Sequence, residues 1–231
     1  MPAKTLPKPL SPVARNTLQE QVYTQIRESL IDGRFRPGQT LTIRDLAQQL
    51  GTSVMPVREA LHKLTVEQVL DMTVARSVKV PALSADKFQE ICDARILLEG
   101  HLAVLASQRA DTDDLARIEE ANGEFVAAKI SRDPTLMLRR NREFHFAIYS
   151  AAHHPTLFDL VEPLWVRCGP SMLALFEELG SDHIKRAASK THQTTLEGVR
   201  SRNSSQAERG IVEDIRATSA TYRKHLQKVR A

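Results

Sequence analysis

The sequence has almost no cysteine: Cys92 and Cys168 are the only two in 231 residues. They form neither a C-x-x-C pair nor a zinc-finger spacing, so no thiol redox motif or cysteine-held zinc module can be read, and a reducing compartment is the simpler setting. A chain of this length buries a core without such staples. Long apolar runs are also missing. No stretch approaches the length that spans a bilayer, and no charged-then-apolar leader is present, which predicts a cytoplasmic protein. A glycine-rich phosphate loop and a nucleophile motif are absent as well.

The charge that is present is unevenly placed. Residues 1–81 hold 11 lysines and arginines against 7 acids, whereas residues 82–231 hold 21 of each. The whole positive excess lies in the N-terminal third, which points to an anionic partner there. The opening MPAKTLPKPLSP is rich in proline and without apolar period, which predicts a disordered arm over residues 1–14.

Residues 15–81 read as three short helices and a hairpin. Leu18, Val22, Ile26 and Leu30 share one face of the first helix, and Gly33 stops it. RPGQ reads as a turn. Thr42, with Asp45 three residues on, starts a second helix whose Ile43, Leu46, Ala47 and Leu50 make one apolar face before Gly51. Ser53 opens a third helix, with Pro56 in its first turn and Val57, Ala60, Leu61 and Leu64 inward. VLDMTV and SVKVPAL alternate around Ala75-Arg76 as a hairpin. That order describes a winged helix-turn-helix. The third helix leaves Ser53, Val54, Met55, Arg58 and His62 outward, where an arginine can bond both guanine acceptors and a serine a base or phosphate. Arg44 early in the second helix and Arg76 at the wing tip are placed for the DNA backbone or minor groove. The alternative is a three-helix protein-binding module with solvated arginines.

From Ser84 the strand signals cease. Breaks at 111–113, 133–134, 154–155, 180–181 and 203–205 predict six helices over 84–109, 112–131, 134–152, 155–179, 182–202 and 204–228. Short loops between long helices imply an antiparallel all-α bundle over residues 82–231, so the whole chain is mainly α. Several apolar stripes carry polar groups. Asn141 and His145 align with Leu138, Ile148 and Ala152; His192 with Ala188, Leu196 and Val199; Asp214 with Ala207, Ile211 and Thr218. Three helices thus aim potential metal ligands inward, although a lone inward histidine is more often a hydrogen-bonded core residue. Arg95 interrupts the stripe Phe88, Ile91, Leu98, Leu102, Leu105, where it either pairs with Glu99, snorkels, or serves a ligand.

The run VYTQIRESLIDGRFRPGQTLTIRDLAQQLGTSVMPVREALHKL resembles the DNA-binding domain of GntR-type bacterial transcription regulators, with RPGQTL, LAQQLG and PVREAL as its specific marks. DARILLEGHLAVLA and NREFHFAIYSAAHHP resemble the helical FCD effector domain of the FadR-type subgroup. The family usually carries Arg where Val54 stands and Gly where Ser77 stands, which implies an atypical operator. Its metal site uses D-x-x-x-H and two later histidines. Asn141 falls on the Asp position, His145 and His192 match, and Asp214 stands where the last His is expected. The resemblance therefore implies a divalent ion such as zinc, nickel or manganese, held by a set richer in oxygen than usual. It also implies a small organic acid effector near the metal, with Arg95 facing the same cavity. His153 and His154 fall in a loop outside this set, and the stripes align His62, His101, His183 and His225 with no second inward ligand.

The leading expectation is a homodimeric, ligand-responsive transcription factor, usually a repressor, binding an inverted-repeat operator. It is not expected to be an enzyme. The alternatives are a metal-dependent hydrolase with a nucleic-acid-targeting head and a bundle whose polar cluster is only a hydrogen-bond network.

Overall fold

The computed structural model describes residues 18–73, 77–131, 133–178 and 182–230; the arm expected over residues 1–14 lies outside them. The first part comprises α1 (Leu18–Ile31), β1 (Thr40–Leu41), α2 (Ile43–Gln49), α3 (Val54–Val66), β2 (Asp71–Met72) and β3 (Val78–Lys79). Val22, Ile26 and Leu30 are buried along α1 at helical spacing. Gly33, at φ +68, ends it: the Gly33 and Arg34 amides donate back to Leu30 and Ser29, a closure that needs the left-handed conformation glycine adopts freely. Thr42 caps α2 by accepting from the Asp45 amide at 3.2 Å, as the spacing predicts.

One element differs from the expectation. The sheet has three strands, ordered β1-β3-β2 and antiparallel, not two. Thr40 pairs with Lys79 and Leu41 with Val78, so β3 is central. Two residues are too few for an alternating pattern to register, which is why the segment after RPGQ reads only as a turn. In the wing, the Thr73 hydroxyl lies 2.7 Å from that of Ser77, so serine at this position bonds across the hairpin.

The second part is helical: α4 (Ala85–Arg109), α5 (Thr112–Ser131), α6 (Pro134–Ala151), α7 (Pro155–Glu178), α8 (Asp182–Arg200) and α9 (Ser204–Arg230). Ser84 caps α4, and Asp133 caps α6 ahead of Pro134. Helix α9 lies along α4 and α8, and α5 along α6. Among the described residues no helix is long and apolar enough to cross a membrane.

Two buried apolar clusters result. One is built from α4 to α9. The other comes from residues 22–80 and one visitor, Val166 of α7. Helix α7 is thus the seat of the winged head. A Cβ on Gly169 would come within 2.4 Å of the Leu30 carbonyl oxygen, so α1 touches α7 backbone to backbone. Arg27 pairs with Glu162 at 3.0 Å and Arg142 with Asp32 at 3.2 Å across the same seam.

Candidate DNA-facing helix and buried metal centre

Helix α3 divides as its sequence predicts. Val57, Ala60, Leu61 and Leu64 are buried, while Ser53, Met55, Arg58 and His62 are exposed, with Val54 beside them. Ser53 occupies the N-cap position without a side-chain capping bond. Its hydroxyl and the first amides of the helix therefore remain available to a phosphate or a base edge. Arg44 is exposed on α2. Lys63 points elsewhere, its ammonium 3.7 Å from the centre of the Tyr23 ring. Arg76 lies outside the described residues.

In the bundle, α6 carries His145, α8 carries His192 and α9 carries Asp214, and one ligand atom from each lies within 4.8 Å of the other two. Asn141 is buried one turn before His145 on the same face of α6. Nε2 of His145 is 3.3 Å from Asp214 Oδ2. His192 stacks on Phe144 at 4.0 Å and tilts against Phe125 at 4.5 Å. Both of its ring nitrogens are buried without a hydrogen-bond partner, and Nε2 of His145 has only the Asp214 carboxylate, 3.3 Å away. Such atoms cost free energy unless something coordinates them.

The electrostatics suit a cation. Burial pushes His192 down to about 3, so the ring is neutral and its lone pair is free. Burial pushes the Asp214 carboxyl up, but His145, His192 and the Thr191 hydroxyl outweigh it and hold Asp214 down at about 2. Thr191 donates to Oδ1 at 2.6 Å, which leaves Oδ2 on the side of the histidines. Two imidazoles and a carboxylate, with an amide one turn away, fit a divalent ion that accepts nitrogen and oxygen.

Arg95 is not presented as a free cation. Its Nε donates to Glu99 Oε1 at 2.6 Å and Nη2 to Oε2 at 3.2 Å, and its guanidinium lies 4.2 Å from the centre of the Trp165 ring. Burial works against its charge, but Glu99 outweighs burial and keeps it protonated. The Glu99 carboxylate also accepts from the Tyr149 hydroxyl at 2.5 Å and from the Trp165 indole at 3.0 Å. Glu99, Tyr149 and Trp165 did not emerge as site residues from the sequence. Tyr149 stands one helical turn from His145, which is the one signal that could have found it. His153, outside the expected set, meets Asp114 at 2.8 Å beside Asp111, at the junction of α4 and α5.

A winged helix-turn-helix seated on a helical bundle with a buried ligand-type site defines the class of effector-controlled DNA-binding regulators. Residues 18–80 match the family model for bacterial regulatory proteins of the gntR family, and residues 90–217 match the FCD domain. The chain belongs to the GntR family of transcription regulators and carries an FCD effector domain. It is 32% identical over 176 residues to the HTH-type transcriptional regulator McbR of Escherichia coli (strain K12), covering 76% of this chain and 80% of that protein. The solved structure of E. coli McbR/YncC has a TM-score of 0.86 with 27% identity, over 91% of this chain and 99% of that one. The galactonate operon transcriptional repressor of E. coli (strain K12) is 21% identical over 222 residues, 87% of this chain and 94% of that protein. These relatives are transcription regulators, not enzymes, and the hydrolase alternative falls with them.

Proposed function

We propose that the protein is a homodimeric cytoplasmic repressor that reads an inverted repeat through α3 and responds to a small organic acid held at a divalent metal in the bundle. The observation that carries the metal is the convergence of His145, His192 and Asp214, with both buried ring nitrogens of His192 left without a hydrogen-bond partner. These residues and Asn141 hold zinc, nickel or manganese. When bound, the ion supplies a positive charge that accepts an effector carboxylate oxygen. The relative named as the repressor of the galactonate operon supports repression as the sense of control. An acid that also engages Arg95 does so in competition with Glu99.

On the DNA side, Arg58 reads a base edge in the major groove while Ser53, Met55 and His62 line the same face. Arg44 and Arg76 meet the DNA backbone or minor-groove edges. Replacing Arg58 by Ala costs about 1–3 kcal/mol at the specific site and relaxes the sequence preference; unchanged affinity and preference would remove α3 as the reading helix.

The effector site is tested by thermal-shift screening of organic, amino and sugar acids on wild type, metal-stripped protein and Arg95→Ala. A hit that stabilises the wild type most supports the site. Equal stabilisation of all three places the effector elsewhere.

A further inference from the structure

The two ring nitrogens of His145 face different surroundings. Nδ1 lies 2.9 Å from the Tyr149 hydroxyl oxygen, while Nε2 faces Asp214 and His192. The Tyr149 hydroxyl donates its hydrogen bond to Glu99, because a carboxylate only accepts. The Tyr149 oxygen must then be the acceptor for His145, which assigns the ring hydrogen to Nδ1. In the neutral ring Nε2 is left with a lone pair, on the side of the other ligands.

The same chain of bonds continues out of the site. Glu99 holds the Trp165 indole, and Trp165 is a residue of α7. Val166, the next residue, is buried in the apolar cluster of the winged head. Glu162, one turn earlier, pairs with Arg27 of α1, and Gly169, one turn later, meets the backbone of Leu30 and Ile31. Trp165 thus lies within the stretch of α7 on which α1 rests.

We propose that Tyr149 and Glu99 are positioning residues that hold His145 in its Nδ1–H tautomer for metal binding, and that Glu99, through the Trp165 indole, ties the state of the metal site to the seating of the head on α7. The tautomer rests on the Tyr149 and Glu99 bonds alone, against the pull of Asp214 on an Nε2–H, whereas its consequence for DNA rests on the metal-binding reading above. Outer-shell partners of this kind orient a ligating imidazole and raise its basicity, and their loss costs about 10–100-fold in metal affinity. Coupling to DNA requires only that the two seatings of the head bind the ion differently.

The test uses the full chain labelled with 15N at histidine. In metal-free wild type, long-range proton–nitrogen spectra show His145 as Nδ1–H, and in Tyr149→Phe the Nε2–H form gains population. Zinc affinity, measured by competition with a chromophoric chelator, falls at least about tenfold in Tyr149→Phe. In Trp165→Phe, which removes the indole N–H donated to Glu99, zinc no longer changes the affinity for a duplex selected with the wild type. Should thermal melting show Tyr149→Phe to be unfolded, Glu99→Asp, which withdraws the carboxylate but keeps its charge, is measured in its place with the same expectations. An Nε2–H ring in wild type, or an unchanged tautomer and zinc affinity in the variant, overturns the positioning role. Zinc that alters DNA binding of Trp165→Phe as in wild type, or that leaves wild-type DNA binding unchanged, overturns the link to the head. A wild type that takes no zinc overturns the metal reading and that link together, and the spectrum still decides the tautomer.

Discussion

Replacing Glu99 by Gln should destabilise the bundle far more than its near-identical shape suggests. The side chains of Arg95 and Glu99 are 3% and 0% exposed. Water therefore cannot take over the guanidinium once its partner is neutral. Glutamine keeps one acceptor oxygen where four donors now converge, from Arg95 twice, Tyr149 and Trp165. It also turns an amide N–H₂ towards two of those donors, either Arg95 Nε and the Trp165 indole or Arg95 Nη2 and the Tyr149 hydroxyl. Breaking a buried ion pair by removing one partner costs about 3–5 kcal/mol, because a buried charge is left uncompensated. For a chain of this size each kcal/mol corresponds to about 2–4 °C, so the melting temperature should fall by about 6–20 °C. The double variant Arg95→Met/Glu99→Gln removes the stranded charge, keeps the Gln oxygen for the Trp165 indole, and sets the amide N–H₂ against the Tyr149 hydroxyl, which can turn to accept. It should regain at least half of the loss. Urea unfolding followed by tryptophan emission is the assay. Trp165 is the only tryptophan and bonds to the altered residue, so the probe reports from the network itself. A Glu99→Gln loss below about 1 kcal/mol, or a double variant less stable than the single, would refute the charge argument.

Gly169→Ala should destabilise by about 1–3 kcal/mol and raise hydrogen exchange along α1, since its Cβ meets backbone atoms that cannot rotate away. Gly123→Ala in α5, where nothing lies within 4 Å, should stabilise by about 0.5–1 kcal/mol in the same thermal melts; equal signs for the two would mean that α1 and α7 are not in close contact. Added zinc should stabilise the chain by about 2.7 kcal/mol at a hundredfold excess over its dissociation constant, an effect lost in His145→Ala/His192→Ala and absent with calcium. Burial of Asp114 opposes its ionisation, but the Asp111 amide, Arg117 and His153 outweigh burial and lower its pKa from 3.8. Its folded value being depressed, its contribution is complete above the unfolded value and lost as pH falls through the folded one. Melting curves should show a constant gap between wild type and Asp114→Asn near neutral pH that narrows in acid; a gap that widens in acid would reverse the sign.

The winged head and the bundle were legible because their buried residues recur at helical spacing. The same spacing exposed His145, His192 and Asp214, since a polar side chain on an apolar stripe stands out. Resemblance to the FCD pattern then suggested their common purpose. Glu99 did not stand out, because the stripe through Phe88, Ile91 and Arg95 passes to Leu98, and the carboxylate one position later reads as a surface partner. Tyr149 and Trp165 read as core, since an aromatic ring on an apolar face does not reveal where its polar tip points. Strand β1 was too short to carry a period. The place of Val166 in the head is a contact across most of the chain, to which local periodicity is blind.

Val166 also bears on how such proteins diversify. A gene fusion that joined residues 1–81 to a foreign bundle would cut the chain where the sequence invites it, between β3 and α4. The fusion would leave an apolar hole in the head, because the side chain that closes its cluster comes from α7. Heads and bundles of this architecture are therefore exchangeable only in partnership with a compatible α7, and a substitution at Val166 should be accompanied by changes among the head residues of its cluster as lineages part.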